Sequence, residues 1–370
     1  MILPSVIGYL KVLSRKQSIY RHLFISSAAY TSMTGRIDYD ALEKPAKIDV
    51  KDKKILSLLS EDARMPFTQL AKAINLSRDA TAHRVERMVK EGIILRFFPN
   101  INYDKLGHYT FHVFLLIDEM DKQEQDNLIA DLKKHPNIIS VIEYSDRWDL
   151  ELVLLAKDLL EFDHVILEIA AKYPHIILEK DKLEIIRRYN SSFVPPLIRE
   201  KGHEMDAKVV RRAPPAKVDS VDLHILRLLA KDCRTSTYEI ATELGVSADA
   251  VGYRIKNLLR EEIIRNFTIL VNLSKMKYHW YTFSVEMKMF DTRNEKKFES
   301  FLQKHKNIIR SVKTLGGWDL LLYVIVQNPR EFHHIVKDLK STFANVVRNY
   351  QTWVAFKEHT YNPMPKALEN

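Results

Sequence analysis

The chain has 370 residues, 46% hydrophobic and 28% charged, a globular composition with room for two to four domains. Its single cysteine, Cys233, excludes a disulfide framework, a cysteine–zinc cluster and a Cys-X-X-Cys redox pair, and nine glycines leave little for phosphate-cradling loops. The net charge of +9 points to a polyanion, but Lys11, Arg15, Lys16, Arg21 and Arg36 all precede the first acidic residue, Asp38, so the body is only mildly basic. No apolar run is long enough to span a bilayer, and a reducing, cytoplasmic setting is expected.

Residues 1–44 match nothing else in the chain. They lack the long apolar core of a cleaved signal, which leaves a disordered basic arm or an upstream extension with the true start at Met33; the second is preferred. From Ile48 a pattern begins that the chain repeats about 170 residues later, so each copy is domain-sized. Asp49 and Asp52, then Asp219 and Asp222, stand ahead of Ile55-Leu56-Ser-Leu58-Leu59 and Ile225-Leu226-Arg-Leu228-Leu229, the pattern of a capped amphipathic helix. Asp62-Ala-Arg64 and Asp232-Cys-Arg234 follow. Second helices are expected over Phe67–Ile74 and Tyr238–Leu244, then tight turns at Asn75-Leu-Ser77 and Gly245-Val-Ser247 with a left-handed residue and a serine cap. Third helices run from Ser77 to about Lys90 and from Ser247 to about Arg260. This is helix-turn-helix grammar.

After each third helix, Ile93–Asn102 and Ile263–Asn272 read as a β-ribbon, a wing. The remainder of each copy reads β-α-β-β-α-β, a ferredoxin-like sandwich whose open sheet face needs cover, usually from a second such sheet. Pro195-Pro196 and Pro214-Pro215 bracket a charged linker. The boundaries expected are an extension over 1–44, a winged helix-turn-helix over 45–105, a ferredoxin-like domain over 106–194 and a linker over 195–216. A second winged helix-turn-helix over 217–275, a second ferredoxin-like domain over 276–363 and a tail over 364–370 complete the α+β architecture of two repeats.

From Ile48 to about Pro363 these residues resemble the Lrp/AsnC, or feast/famine, family of bacterial and archaeal regulators. The resemblance rests on the Asp-x-x-Asp-x-x-Ile-Leu openings, Asp-x-Arg after the first helix, Leu76-Ser77 and Val246-Ser247, Arg84 and Arg254, and Gly92-Ile-Ile. Gly316-Gly317-Trp318-Asp319 is similar to the family's turn beside its effector pocket, whereas Asp146-Arg147-Trp148-Asp149 in copy one departs from it. The resemblance implies transcription regulation through double-stranded DNA, AsnC-type domains for self-association, and an amino-acid-like effector. Two copies in one chain would then form an internal pseudo-dimer.

DNA contact is expected from Ser77, Arg78, Asp79, Thr81, His83, Arg84, Arg87 and Lys90 in copy one. In copy two the corresponding residues are Ser247, Tyr253, Arg254, Lys256, Asn257 and Arg260. Formal charges cancel over Ser247–Glu262 and leave one positive charge over Ser77–Gly92, so copy two should grip phosphates less well. A solvated helix surface is the plain alternative for both. Gly316, Gly317, Trp318 and Asp319 are the effector candidates, against a simple hairpin turn with a core tryptophan. His135 and His305 suit helix C-termini, His333 and His334 diverge on their helix, and Cys233 reads as a small buried residue; no cofactor, metal or catalytic site is expected. Two other functions compete: a nucleoid-architectural DNA-binding protein, and a sirohaem-decarboxylase-like enzyme. The latter family's Asn-Leu-Trp segment is replaced here by Arg147-Trp148-Asp149 and Gly317-Trp318-Asp319.

Overall fold

The computed structural model describes residues 35–39, 45–118, 121–195, 198, 214–289 and 291–369. Helix α1 (Val50–Glu61) starts where the Asp49 side chain accepts from the Asp52 N–H at 2.8 Å and Asp52 accepts in return from the Asp49 N–H at 3.2 Å. Its counterpart, which opens copy two over Ser220–Lys231, repeats this box with Asp219 and Asp222 at 2.9 and 3.3 Å. Each box satisfies orphan amide donors, an effect of about 1 kcal/mol. Helices α2 (Phe67–Ile74) and α3 (Arg78–Lys90) follow. The turn between them needs a left-handed residue, which Asn75 provides at φ 54°; Gly245 does the same at φ 67° in copy two.

Strand β1 (Ile94–Ile101) does not fold back on itself as a ribbon within its own copy. It pairs antiparallel with β6 (Ile264–Val271), with Phe97 opposite Ile269, so the expected wing is one ribbon built from a strand of each copy. The Asp-x-Arg motifs reinforce this exchange. Arg64 donates to the carbonyls of Cys233 and Thr235, while Arg234 donates to those of Ala63, at 2.6 Å, and Met65. Backbone bonds from the Ala63 N–H to Phe267 and the Cys233 N–H to Phe97, both 3.0 Å, run the same way.

Copy one continues through β2 (Tyr109–Ile117), α4 (Lys122–Lys134), β3 (Ile138–Tyr144), β4 (Leu150–Ala156), α5 (Leu159–Lys172) and β5 (Ile177–Ser191). Copy two comprises α6 (Ser220–Lys231), α7 (Thr237–Leu244), α8 (Ala248–Arg260), β6, β7 (His279–Met287), α9 (Thr292–Lys304), β8 (Ile308–Leu315), β9 (Leu320–Val326), α10 (Pro329–Thr342) and β10 (Val347–Tyr361). The eight strands from β2 to β5 and β7 to β10 close into one barrel in the order β10-β3-β4-β2-β5-β8-β9-β7. Two seams join the copies. At one, β10 meets β3 with Tyr361 opposite Ser140; at the other, β5 meets β8 with Ser191 opposite Arg310.

Alternation along each strand explains the layers. In β2, Phe111, Val113, Leu115 and Ile117 pack with Leu128 and Leu132 of α4 and Phe162, Val165, Ile166 and Ile169 of α5; copy two builds a matching core around Phe283, Phe298 and Phe343. The intervening residues turn to the barrel interior. There the Glu151 carboxylate accepts from Tyr144 Oη at 2.5 Å, from Tyr323 Oη and from His112 Nδ1 at 2.5 Å. Burial would raise the Glu151 pKa, but these donors outweigh it and hold the group below the usual carboxylate range; burial holds His112 below its ordinary value.

Two boundaries shift. Arg36 and Ile37, expected in the 1–44 extension, lie buried in the body: the Arg36 guanidinium reaches Glu358 Oε1 at 2.6 Å, and Ile37 has no exposed surface. The tail is likewise packed, with Ala367 and Leu368 buried and Glu369 Oε1 2.6 Å from Arg227 Nε. The expected start at Met33 and most of the linker fall outside the described residues.

Candidate nucleic-acid interface

Helices α3 and α8 begin identically. Ser77 accepts from the Ala80 N–H and Ser247 from the Ala250 N–H, both at 3.1 Å, leaving the first turn of each helix at the surface. Of the residues expected to touch DNA in copy one, Ser77, Arg78, Asp79, His83 and Lys90 are exposed. Arg78 lies 3.4 Å from Asp79, an ion pair open to water. In copy two, Ser247, Tyr253, Lys256 and Arg260 are exposed, Tyr253 at 64%. Asn257 is half-buried.

Four expectations need correction. Thr81 has no exposed surface, and its hydroxyl donates to the Ser77 carbonyl at 2.9 Å, so it is core. Arg84 points back to the start of α1, where it pairs with Asp49 Oδ2 at 2.7 Å and Asp52 Oδ1 at 2.8 Å. Arg254 does the same with Asp219 and Asp222 at 2.8 Å. Arg87 is also held, 2.6 Å from Asp52 and 3.1 Å from Glu91. These arginines staple the third helix to the first; the capping carboxylates occupy the charge that phosphate would need.

The staples leave an electrostatic mark. The Asp49 carboxyl is held below its ordinary value, first by the Asp52 N–H and then by Arg84, and Asp219 by the Asp222 N–H and Arg254. Arg84 is raised by its bonds to Asp49 and Asp52. Sequence reasoning missed these pairs because helical periodicity places Arg84 on an outward face without saying what lies across from it.

The effector candidates sit in the β8–β9 turn, against β5 of copy one. A Cβ on Gly316, whose φ is +148°, would stand 2.5 Å from the Lys182 carbonyl oxygen, and one on Gly317 would stand 3.0 Å from Asp181 Oδ2. The glycines are there because another strand of the chain passes close. Trp318 is buried, and Asp319 accepts from the Met287 N–H at 2.6 Å. Copy one repeats the turn with Asp149 accepting from the Ile117 N–H at 2.6 Å, and Arg147 forms a fork on Glu179. Both turns are hairpin locks. Among the described residues no group of three or more His, Cys, Asp or Glu could hold a metal ion, and no helix is long and apolar enough to cross a membrane.

Comparison with known proteins places this geometry. The AsnC-type helix-turn-helix model matches twice, over residues 48–89 and 218–259. An uncharacterized HTH-type transcriptional regulator of Pyrococcus horikoshii is 34% identical over 130 residues, 35% of this chain and 80% of that one. The HTH-type regulator LrpA of the same organism is 37% identical over 109 residues, 29% of this chain and 74% of that one. Among solved structures, the siroheme decarboxylase NirDL in complex with an iron-uroporphyrin III analogue covers 85% of this chain and 94% of its own. Its TM-score is 0.58 at 13% identity, a likeness of fold alone.

Proposed function

The chain belongs to the Lrp/AsnC family of DNA-binding transcription regulators and carries the family's unit twice; on that premise we propose that it reads specific DNA sequences with its two copies acting as an internal pseudo-dimer. The observation that carries the reading is the shared β1–β6 ribbon, which ties two helices, each with an exposed serine cap, into one body. Symmetry-related reading heads held in this way meet two half-sites at a fixed spacing. Arg78 and Lys90 in copy one, and Tyr253, Lys256 and Arg260 in copy two, are the exposed side chains that would make the contacts, Arg78 and Arg260 through ion pairs to Asp79 and Glu261 that lie open to water. The two half-sites would differ in sequence, because Arg78-Asp79 stands where copy two has Ala248-Asp249. A small amino-acid-like effector would tune this activity.

Selection of bound fragments from a genomic pool at near-physiological salt tests the reading. Enrichment of a few fragments, lost in Arg78→Ala and Lys90→Ala and weakened less in Tyr253→Ala and Lys256→Ala, is the expected result. Uniform weak binding would instead favour a nucleoid-architectural role. No binding, together with haem-type absorbance after reconstitution with an iron tetrapyrrole, would favour the decarboxylase-like reading. Small-angle scattering that required two separated copies would sink the pseudo-dimer.

A further inference from the structure

Where the shared ribbon meets the barrel, a cavity of about 30 Å³ opens among residues of both copies. One water molecule needs about 10–15 Å³, so there is room for more than a single solvent molecule. Four arginines line it: Arg36, Arg188 from β5, Arg265 from β6 and Arg310 from β8. Only Arg36 is neutralised, by Glu358, with guanidinium–carboxylate bonds of 2.9 and 2.6 Å. The other three form no ion pair among the described residues. Arg188 donates to Thr110 Oγ1 at 2.5 Å and Arg265 to Asn102 Oδ1 at 2.8 Å, which uses one of the five N–H donors on each. Arg310 stacks over the Tyr323 ring at 5.5 Å, and its buried Nε has no hydrogen-bond partner.

Converging guanidiniums in a partly closed site are costly unless an anion answers them. Burial pushes Arg188 down to about 10, with Arg310 and Arg265 adding repulsion that Asp104 only partly offsets. Arg265 is lowered by the same burial. The repeat makes the imbalance specific to one seam. Copy two's counterpart of Arg188 is Glu358, and copy one's counterpart of Arg310 is Ser140. Those two residues bond to each other at 2.8 Å and, with Arg36, close the other seam without leftover charge.

We propose that this cavity binds one small oxyanion per chain, a free phosphate or the carboxylate of a metabolite, held by Arg188, Arg265 and Arg310. Planar guanidinium forks suit oxygen acceptors better than a spherical halide. The site draws on the ribbon and on both copies, so its occupant would fasten the reading heads to the barrel. It does not depend on whether the reading heads select particular DNA sequences.

Thermal unfolding of the full chain tests this, with sodium phosphate and sodium acetate titrated against sodium chloride at equal ionic strength. Saturable upward shifts of several degrees are expected for one or both oxyanions and not for chloride, and which of them acts identifies the source of the ligand. Arg188→Gln and Arg310→Gln should unfold at a higher temperature than the wild type in chloride and lose the oxyanion shift. Arg265→Lys should keep it with at least tenfold weaker half-saturation. If the glutamine variants do not fold, calorimetric titration of the wild type decides: one site per chain supports the assignment, whereas no binding or two equal sites overturns it. A wild type whose oxyanion and chloride curves superimpose, or a shift that survives Arg310→Gln, also overturns it.

Discussion

The two seams of the barrel are built from the same pair of strands in each copy, yet they solve the problem of buried polarity in opposite ways. At the β10–β3 seam, Glu358 accepts from Ser140 and from Arg36, which a short upstream segment delivers into the body. At the β5–β8 seam the matching positions are both arginine, neither forms an ion pair among the described residues, and Asp104 only partly offsets the repulsion on Arg188. Backbone pairing therefore does not dictate side-chain chemistry. Two strands can meet in equivalent register with a closed salt bridge at one junction and an open cluster of cations at the other.

The largest test of that contrast is Arg36→Ala set against Arg188→Gln. Removing Arg36 strands a fully buried carboxylate and should cost roughly 3–5 kcal/mol in urea unfolding. Arg188→Gln should instead be stabilising in chloride. Equal losses at both seams would erase the distinction. The cross-copy donors come next: Arg64→Ala and Arg234→Ala should each cost about 1.5–3 kcal/mol, the range for hydrogen bonds from a charged donor. The double variant should lose less than the sum, since both act on one junction. Additive losses would mean that the two motifs are independent.

A smaller effect, about 1 kcal/mol, is expected for Arg84→Ala and Arg254→Ala, whose ion pairs are part-exposed. Both variants should retain DNA binding. Asp49 and Asp219 titrate below their ordinary values when folded. Their stabilisation is therefore fully present above about pH 4, the unfolded value, and is lost as pH falls through the lower folded values. An acid midpoint unchanged in Arg84→Ala would show that the backbone amides alone depress Asp49. The smallest expected change is in salt dependence: Lys90→Ala should reduce the slope of log affinity against log salt by about 0.9, the share of one phosphate contact. Arg87→Ala, whose guanidinium is already occupied, should leave the slope unchanged.

Much of the fold was legible because the sequence states it twice. The capping aspartates, the left-handed Asn75 and Gly245, the serine caps and the βαββαβ alternation are local signals, and each appears where it was expected. Strand exchange was not legible: nothing in Ile93–Asn102 says whether its partner lies in the same copy or the other. The candidate DNA-contact residues were legible only as helix positions. Thr81 and Arg84 fall on the helix proposed to meet DNA but face the rest of the fold, and a face is defined by what packs on it. Gly316 was expected beside an effector, but the group that approaches it is the Lys182 carbonyl, more than a hundred residues away in sequence. The docking of Arg36 had no local pattern to announce it.

Fusing the two halves also changes what mutation can do to them. When two separate identical subunits face each other across a twofold axis, every substitution arrives in duplicate, so a residue that suits one junction is imposed on the other. Here Arg188 and Glu358 descend from corresponding positions of the repeat but are encoded separately. Each seam can drift alone, and a change harmful at one is never automatically repeated at the other. The closed eight-stranded barrel thus holds two junctions that are encoded apart and open to separate histories of selection.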